Sequence, residues 1–342
     1  MIKFPSIGQF RDVVREVRRS EAFMGLDAAG EPIINPTPTL PTLNFRGSVK
    51  MHGTNAAVVF SPEGITYQSR ERELTHEADN AGFYNHMAQH GAALQLIANK
   101  IESQLGLAET DDNIIAIFGE WCGGNIQAGV ALNGLPKMFV VFAAQVNGQW
   151  INVESLDWLT DSAASIYNVG QFEQFSLTID FERPEIAQNE LAAITAAVES
   201  RCPVAAQFDS IGTGEGVVWR CVDNRSSDLW FKVKGEKHSA TKVRTLAAVD
   251  VEAVEKVRDF IAMAVTDARL EQALQNLVGE QLKPFEMSSV GDFIRWVYGD
   301  IIKEESDTIA ASGFDPKKLG GPIATASKKW YFEKLNAAAL SA

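Results

Sequence analysis

The chain has 342 residues, enough for two domains at roughly 100 to 200 residues each. Its formal net charge of −13 excludes a protein that coats nucleic acid through overall charge, but leaves room for a local basic site, since exposed charges are screened over about 8 Å. Cys122, Cys202 and Cys221 form no CxxC pair, "MIKFPSIGQF" lacks a signal-peptide core, and no run approaches the roughly 20 apolar residues of a membrane span; a reduced, cytoplasmic chain without a membrane partner is expected.

In "FRDVVREVRRSEAF", Arg11, Arg15, Arg18 and Arg19 share one helical face while Phe10, Val13, Val14 and Val17 can face inward, so the arginines form either a solvated face or a phosphate contact. "RGSVKMHGTN" then sets Lys50 between a predicted strand and a glycine turn. Such a lysine is a surface charge or a nucleophile. "AAVVF", "SPEG" and "ITYQS" read as a hairpin whose Pro and Gly suit a type I turn; a centre between Pro62 and Glu63 places Asn55 opposite Arg70 on one face.

"HMAQH" spaces His86 and His90 one helical turn apart, without the glutamate of an HExxH zinc site. "NIIAIFGE" predicts a buried strand with Glu120 just past its end. "MFVVFAAQV", "NG" and "QWINV" form a second hairpin, in which Phe142 is either core or a flat platform for a base. Glu215 in "GTGEG" could be a turn residue, and the string lacks the lysine and hydroxyl of a P-loop. "EGVVWRC" and "LWFKVK" form a third hairpin, which puts Lys232 and Lys234 on one face by the period of two.

Beyond about Arg244 the period becomes helical. Val251, Val254, Val257, Ile261 and Val265 form one stripe; Val290, Phe293, Ile294, Val297, Tyr298, Ile301 and Ile302 form a second. The domain boundary is expected in "KHSATKVRTLAAVD". The fold class is α+β, with an N-terminal antiparallel-sheet domain carrying flanking helices, residues 1–240, and a smaller all-α domain, residues 241–342.

A catalytic lysine needs surroundings that disfavour its charge, such as burial, other cations or a metal ion. Lys232 and Lys234 can supply the cations, and the carboxylates of Glu120 and Glu215 can take a divalent metal or a ribose hydroxyl. With Phe142 as an apolar platform, the set describes a nucleotide site with Lys50 at its reacting end.

"KMHGTN", followed in order by "YQSRER", "FGEWCGGNIQAGV", "FVVF", "GEGVVW" and "WFKVKGEKHS", resembles the motif series of the RNA ligase 2 family, the phage-type and editing-type ATP-dependent ligases of the covalent nucleotidyltransferase superfamily. The helical tail resembles that family's C-terminal domain. The resemblance implies an adenylyltransferase fold and a lysyl-AMP intermediate on Lys50, formed from ATP with Mg2+ or Mn2+. The main chain at Val49 and Met51 would hold the adenine edge and Phe142 would stack on the base. Asn55 and Arg70 would lie near the AMP phosphate and the RNA end, Glu120 would touch the ribose or a metal, and Glu215 a metal. Lys232 and Lys234 would bind the α-phosphate. AMP would pass to an RNA 5′-phosphate, and a 3′-hydroxyl would displace it to seal a nicked duplex or a broken RNA.

His52 and the helical tail favour RNA over the DNA ligases and capping enzymes, which usually carry an aspartate at that position and continue into an OB fold. The chemical role of His52 stays open. A non-catalytic RNA-end clamp is the other reading, though it would be expected to lack the nucleophile or a lysine of "FKVK". Lys317, Lys318, Lys328 and Lys329 are candidates for RNA contacts in the tail. "GGNIQAG" departs from relatives that often carry a proline-containing turn there. A monomer is expected, in the cytoplasm of a cell or of a phage's host.

Overall fold

A computed structural model describes residues 1–107, 112–223, 226–235 and 253–340. The chain divides into two compact units, Met1–Gly235 and Glu236–Ala342. The expected boundary string falls on residues 237–250, outside the described residues.

The first unit opens with α1 (Phe10–Ala22), which buries Val13 and Val17 as the spacing predicts, and with a two-stranded ribbon of β1 (Phe23–Leu26) and β2 (Pro32–Ile34). Arg15 and Arg19 pair along α1 with Asp12 and Glu16, each at 2.6 Å. Two sheets follow. In chain order the remaining elements are β3 (Thr42–Val49), β4 (Gly53–Ser61), β5 (Gly64–Ser69), α2 (Phe83–Gln89), α3 (Gly91–Leu105), β6 (Ile115–Cys122), β7 (Met138–Val146), β8 (Gln149–Ile151), β9 (Ile166–Asn168), β10 (Gln174–Asp180), α4 (Glu185–Ser200), α5 (Pro203–Ala206), β11 (Gly216–Cys221) and β12 (Phe231–Lys234).

One sheet runs β10-β3-β11-β12, all antiparallel; the other runs β5-β4-β6-β7-β8, with β9 parallel to β7. The chain therefore changes sheets between Val49 and Gly53, the step that carries Lys50 and His52.

The turns follow their chemistry. The β4–β5 ladder runs from Ala56↔Ser69 to Ser61↔Gly64, the register set by a turn centred between Pro62 and Glu63. Asn147 and Gly148, at φ 50° and 80°, link β7 to β8 with the two left-handed residues that a type I′ turn demands. One boundary needs correction: Glu120 stands inside β6 rather than past its end. The ladder with β4 continues through Asn55↔Glu120 to Gly53↔Cys122, because β4 begins as early as Gly53.

One face of the five-strand path contributes Ala56, Val58, Phe60, Ile115, Ile117 and Trp121 to the main core, with Phe83, Met87, Leu94 and Ile97 of α2 and α3. Alternation turns Ala57, Val59, Ala116 and Phe118 to the other face, where they form a smaller cluster with Ala143 and Trp230. Asn55 and Glu120 extend that second face by the same period.

In the second unit the elements are α6 (Ala253–Ala264), α7 (Asp267–Gln275), α8 (Val290–Glu304), α9 (Ser306–Ala311) and α10 (Pro316–Leu340). The stripe on α8 is realised, with Phe293, Val297 and Ile301 buried in a separate core with Tyr331, Leu319 and Leu277. Of the earlier stripe, Val251 lies outside the described residues. Among the described residues no helix is long and apolar enough to cross a membrane.

Candidate active site

Lys50 leaves β3 with its amide donating to the Gly216 carbonyl at 2.8 Å, which fixes the start of its side chain against β11. Its Nζ lies 2.7 Å from Glu215 Oε2. The same oxygen meets His52 Nδ1 at 2.8 Å, and Oε1 meets Lys234 Nζ at 3.1 Å. Facing an ionised carboxylate, Nδ1 of His52 is the donor. Glu215 is thus the hub of the cluster, its side chain 2 % exposed.

The glycines around Glu215 explain how it gets there. A Cβ on Gly214 would lie 2.6 Å from the Val198 carbonyl oxygen of α4, and one on Gly216 would lie 2.2 Å from the Val233 carbonyl oxygen of β12. Gly216 also holds φ +150°. Only glycine lets the backbone press this close on both sides, so "GEG" is an approach device rather than an ordinary turn.

Burial alone would raise the Glu215 carboxyl, but Lys50, Lys234 and the His52 hydrogen bond together hold it well below the usual carboxylate range. Burial opposes the charge on Lys50, yet Glu215 and Glu120 outweigh it, so the ammonium is held above its ordinary value. The sequence suggests cations around Lys50. Lys234 is there, but both lysines converge on one carboxylate, and the net effect keeps Lys50 protonated.

Glu120 is the second carboxylate. It accepts from the Gly53 amide at 3.0 Å, and burial, reinforced by the Glu215 charge against the pull of Lys50, pushes it up to about 7. Gly53 is held at both polar atoms, because Gln127 of the "GGNIQAG" loop donates to its carbonyl at 2.6 Å. A Cβ on Gly53 would sit 2.2 Å from the Trp121 carbonyl oxygen, so the β4–β6 pairing requires a glycine here.

Asn55 stands opposite Glu120, and the β4–β5 register carried one step further sets it opposite Arg70. Arg70 lies near enough to disfavour the charge on Lys50 and favour that on Glu120, and donates to Ser6 Oγ at 3.1 Å. Phe142 is half-buried, at a β-bulge: Phe118 pairs with Ala143 and Gly119 with Val141, leaving Phe142 as the extra residue. Bulges re-aim a side chain. Here Arg220 Nη1 donates to the Phe142 carbonyl at 2.5 Å, while Nη2 of the same guanidinium pairs with Glu154.

Val49 and Met51 are buried, Val49 pairing with Val217 of β11. Lys232 lies opposite Val218, two residues from Lys234 on the same face of β12. Thus Lys50, His52, Glu120, Glu215 and Lys234 form one charged group with Arg70 in electrostatic range, while Phe142 belongs to the neighbouring aromatic cluster.

His86 stands elsewhere, its ring 4.8 Å from that of His90 and its Nε2 2.9 Å from the Ala164 carbonyl oxygen. Among the described residues no group of three or more His, Cys, Asp or Glu is arranged to hold a metal. A divalent ion of the magnesium type, however, keeps water and phosphate oxygens as ligands and needs only one or two carboxylates. The buried carboxylate of Glu215 and the half-buried one of Glu120, both beside Lys50, could supply ligands of that kind.

Sequence reasoning left His52 without a role and did not find Gln127, Arg220 or Ser6. None lies in a periodic pattern that would single it out.

The sequence model of the RNA ligase family matches residues 44–234, which takes in Lys50, Glu120, Phe142, Glu215 and Lys234. The chain belongs to this RNA ligase family. No curated protein matches it. Among solved structures, the RNA ligase of Naegleria gruberi with PPi is similar at TM-score 0.42 and 13 % identity, over 69 % of this chain and 56 % of that one. A mutant of the same ligase with AMP and Mn aligns at TM-score 0.43 and 15 % identity, over the same 69 % and 56 %. Another, with ATP and Mn, aligns at 0.41 and 16 %, over 68 % and 56 %. The chain thus covers little more than half the length of these ligases.

Proposed function

We propose that this RNA ligase family member is an ATP-dependent ligase that works through a covalent adenylate on Lys50. The observation that carries the reading is the convergence of Lys50, His52 and Lys234 on Glu215, with Glu120 beside them, in a chain whose motif blocks follow the family order.

In the first step the neutral amine of Lys50 attacks the α-phosphorus of ATP. A P–N bond forms, the bond to the bridging oxygen breaks, and pyrophosphate leaves. The ammonium proton must go first, and the ion pair with Glu215 opposes this. Glu215 and Glu120 would hold a divalent cation, whose charge favours the neutral amine and offsets charge on the phosphate. Lys234 and Lys232 stabilise the oxygens of the transferring phosphoryl group, Asn55 and Arg70 take the same group from the other sheet, and Phe142 stacks on the base.

An RNA 5′-phosphate oxygen then attacks the lysyl-AMP phosphorus, which releases Lys50 and leaves a 5′–5′ pyrophosphate linkage. A 3′-hydroxyl attacks the RNA phosphorus, AMP departs, and a phosphodiester remains. The exposed Lys317, Lys318, Lys328 and Lys329 on α10 are placed in RNA contacts on the same reading.

The test is intact mass after incubation with ATP and magnesium. A gain of one AMP is expected, absent in Lys50→Ala; a wild-type protein that stays unmodified across neutral and alkaline pH overturns the proposal. Sealing of nicked duplexes with RNA or DNA on the 3′-hydroxyl side then decides the polymer. Equal activity on an all-DNA nick would exclude the RNA-specific reading.

A further inference from the structure

The family match begins at residue 44, and all the motif blocks lie within or beyond it. Residues 2–8 nevertheless reach three elements of the site. The Ile2 amide donates to Gln68 Oε1 of β5 at 3.1 Å, and Lys3 pairs with Glu71 at 3.4 Å. Ser6 Oγ accepts from Arg70 at 3.1 Å. Gly8 bridges Phe231 of β12, its carbonyl accepting from the Lys232 amide at 3.0 Å.

Between these anchors lies Phe4. Its ring centroid is 5.0 Å from that of Phe142 with the planes at 64°, and 5.3, 5.8 and 5.9 Å from those of Phe118, Trp150 and Trp230.

Phe142 occupies the extra position of its bulge, so strand pairing does not by itself aim its ring. Arg220 holds its carbonyl, and Phe4 meets its ring. Aromatic pairs prefer inclined geometries at such separations, and rotating one ring of a close pair forfeits contact with the other.

We propose that residues 2–8 are a positioning segment of the nucleotide site, in which Phe4 sets the angle at which Phe142 receives the purine of ATP. This rests on the lysyl-AMP reading above. Phe4 acts through Phe142 and so belongs to base binding, while Ser6 and Gly8 anchor the segment beside Arg70 and Lys232.

The experiment measures the rate of AMP-adduct formation against ATP concentration in the full chain with Phe4→Ala, Phe4→Leu, Phe142→Leu and the Phe4→Ala/Phe142→Leu pair. Phe4→Ala is expected to raise the KM for ATP about tenfold while leaving kcat within about twofold. Phe4→Leu, which keeps apolar volume but no aromatic ring, should show a smaller rise in the same constant. In the Phe142→Leu background the Phe4→Ala penalty should vanish, whereas a residue that merely fills the core would cost the same in both backgrounds.

An unchanged KM, a loss confined to kcat, or an equal penalty in both backgrounds overturns the proposal. If Phe4→Ala fails to fold, Phe4→Leu decides by the same readings, alone and on Phe142→Leu. A wild type that forms no adduct sinks the ligase reading; a wild type that does, with indifferent Phe4 variants, sinks only this inference.

Discussion

In the C-terminal unit Arg269 is buried with its Nε 2.7 Å from Asp300, Nη2 3.1 Å from Glu305 and Nη1 donating to the Ala264 carbonyl. In the N-terminal unit Glu215 is buried with Lys50, His52 and Lys234 around it. Both are knots of charge removed from water, and both satisfy their central group. They differ in what the partners can do. A guanidinium does not lose its proton in a protein, so the cation at the centre of the Arg269 knot is fixed. The Glu215 knot centres instead on a carboxylate held by amines, and the Glu120 carboxyl beside it is pushed up to about 7, where it can exchange a proton. A fixed central cation suits a structural role, and a carboxylate hub beside a carboxyl near 7 suits the chemistry proposed above.

The largest effect should come from breaking the inert knot. Arg269→Ala removes the guanidinium that Asp300 and Glu305 face, and an unfolding free energy lower by about 3–5 kcal/mol is expected in denaturant titration. AMP-adduct formation by the protein that remains folded should stay within about twofold of wild type. A stability loss below about 1 kcal/mol would erase the distinction, because the Arg269 pairs would then count for no more than exposed ones.

Glu215→Gln keeps the shape of the hub and removes its charge. Adduct formation should fall on the order of a hundredfold, the scale of losing one group that organises transition-state charge. The residual reaction should gain activity at lower pH, since the carboxylate that holds Lys50 above its ordinary value is gone. A pH–rate profile unmoved by the substitution would mean that Glu215 does not control the amine.

A third effect is thermodynamic. Glu120 is raised from 4.5 to about 7 in the folded state, so between those values the native protein binds the extra proton and the unfolded chain does not. Stability from this group is present below about pH 4.5 and lost as pH rises to about 7, by an amount on the order of 3 kcal/mol at most. Comparing the melting temperature of wild type and Glu120→Gln from pH 5 to 8 isolates the effect: the difference should grow with pH in favour of the variant. A constant difference would place the Glu120 carboxyl in its ordinary range.

Much of the site's scaffold could be read locally. Pro62 and Glu63 fixed a register that carries Asn55 to Arg70, and "NG" required the turn found at Asn147 and Gly148. Lys232 and Lys234 share a face because a strand has a period of two. The errors and omissions have a common cause. The sequence puts Glu120 beyond its strand because the end of β6 depends on where β4 starts, some 65 residues away. The local string leaves Glu215 open as a turn residue or a site carboxylate, and only the approach of the Val198 and Val233 carbonyls shows why glycines flank it. The sequence offers Lys50 both cations and carboxylates, but does not show that its ion-pair partner is Glu215, 165 residues on.

Alone, then, the sequence determined the period of each segment, the turns that need left-handed residues, and the family to which the motif blocks point, because each depends on residues close in the chain. Only the tertiary structure decided that Lys50, His52 and Lys234 share Glu215, that Glu120 sits near neutrality, and that Phe4 lies on Phe142. Desolvation and charge pairing are set by everything that surrounds an atom, and here those surroundings come from strands of two sheets and from a segment before the first motif.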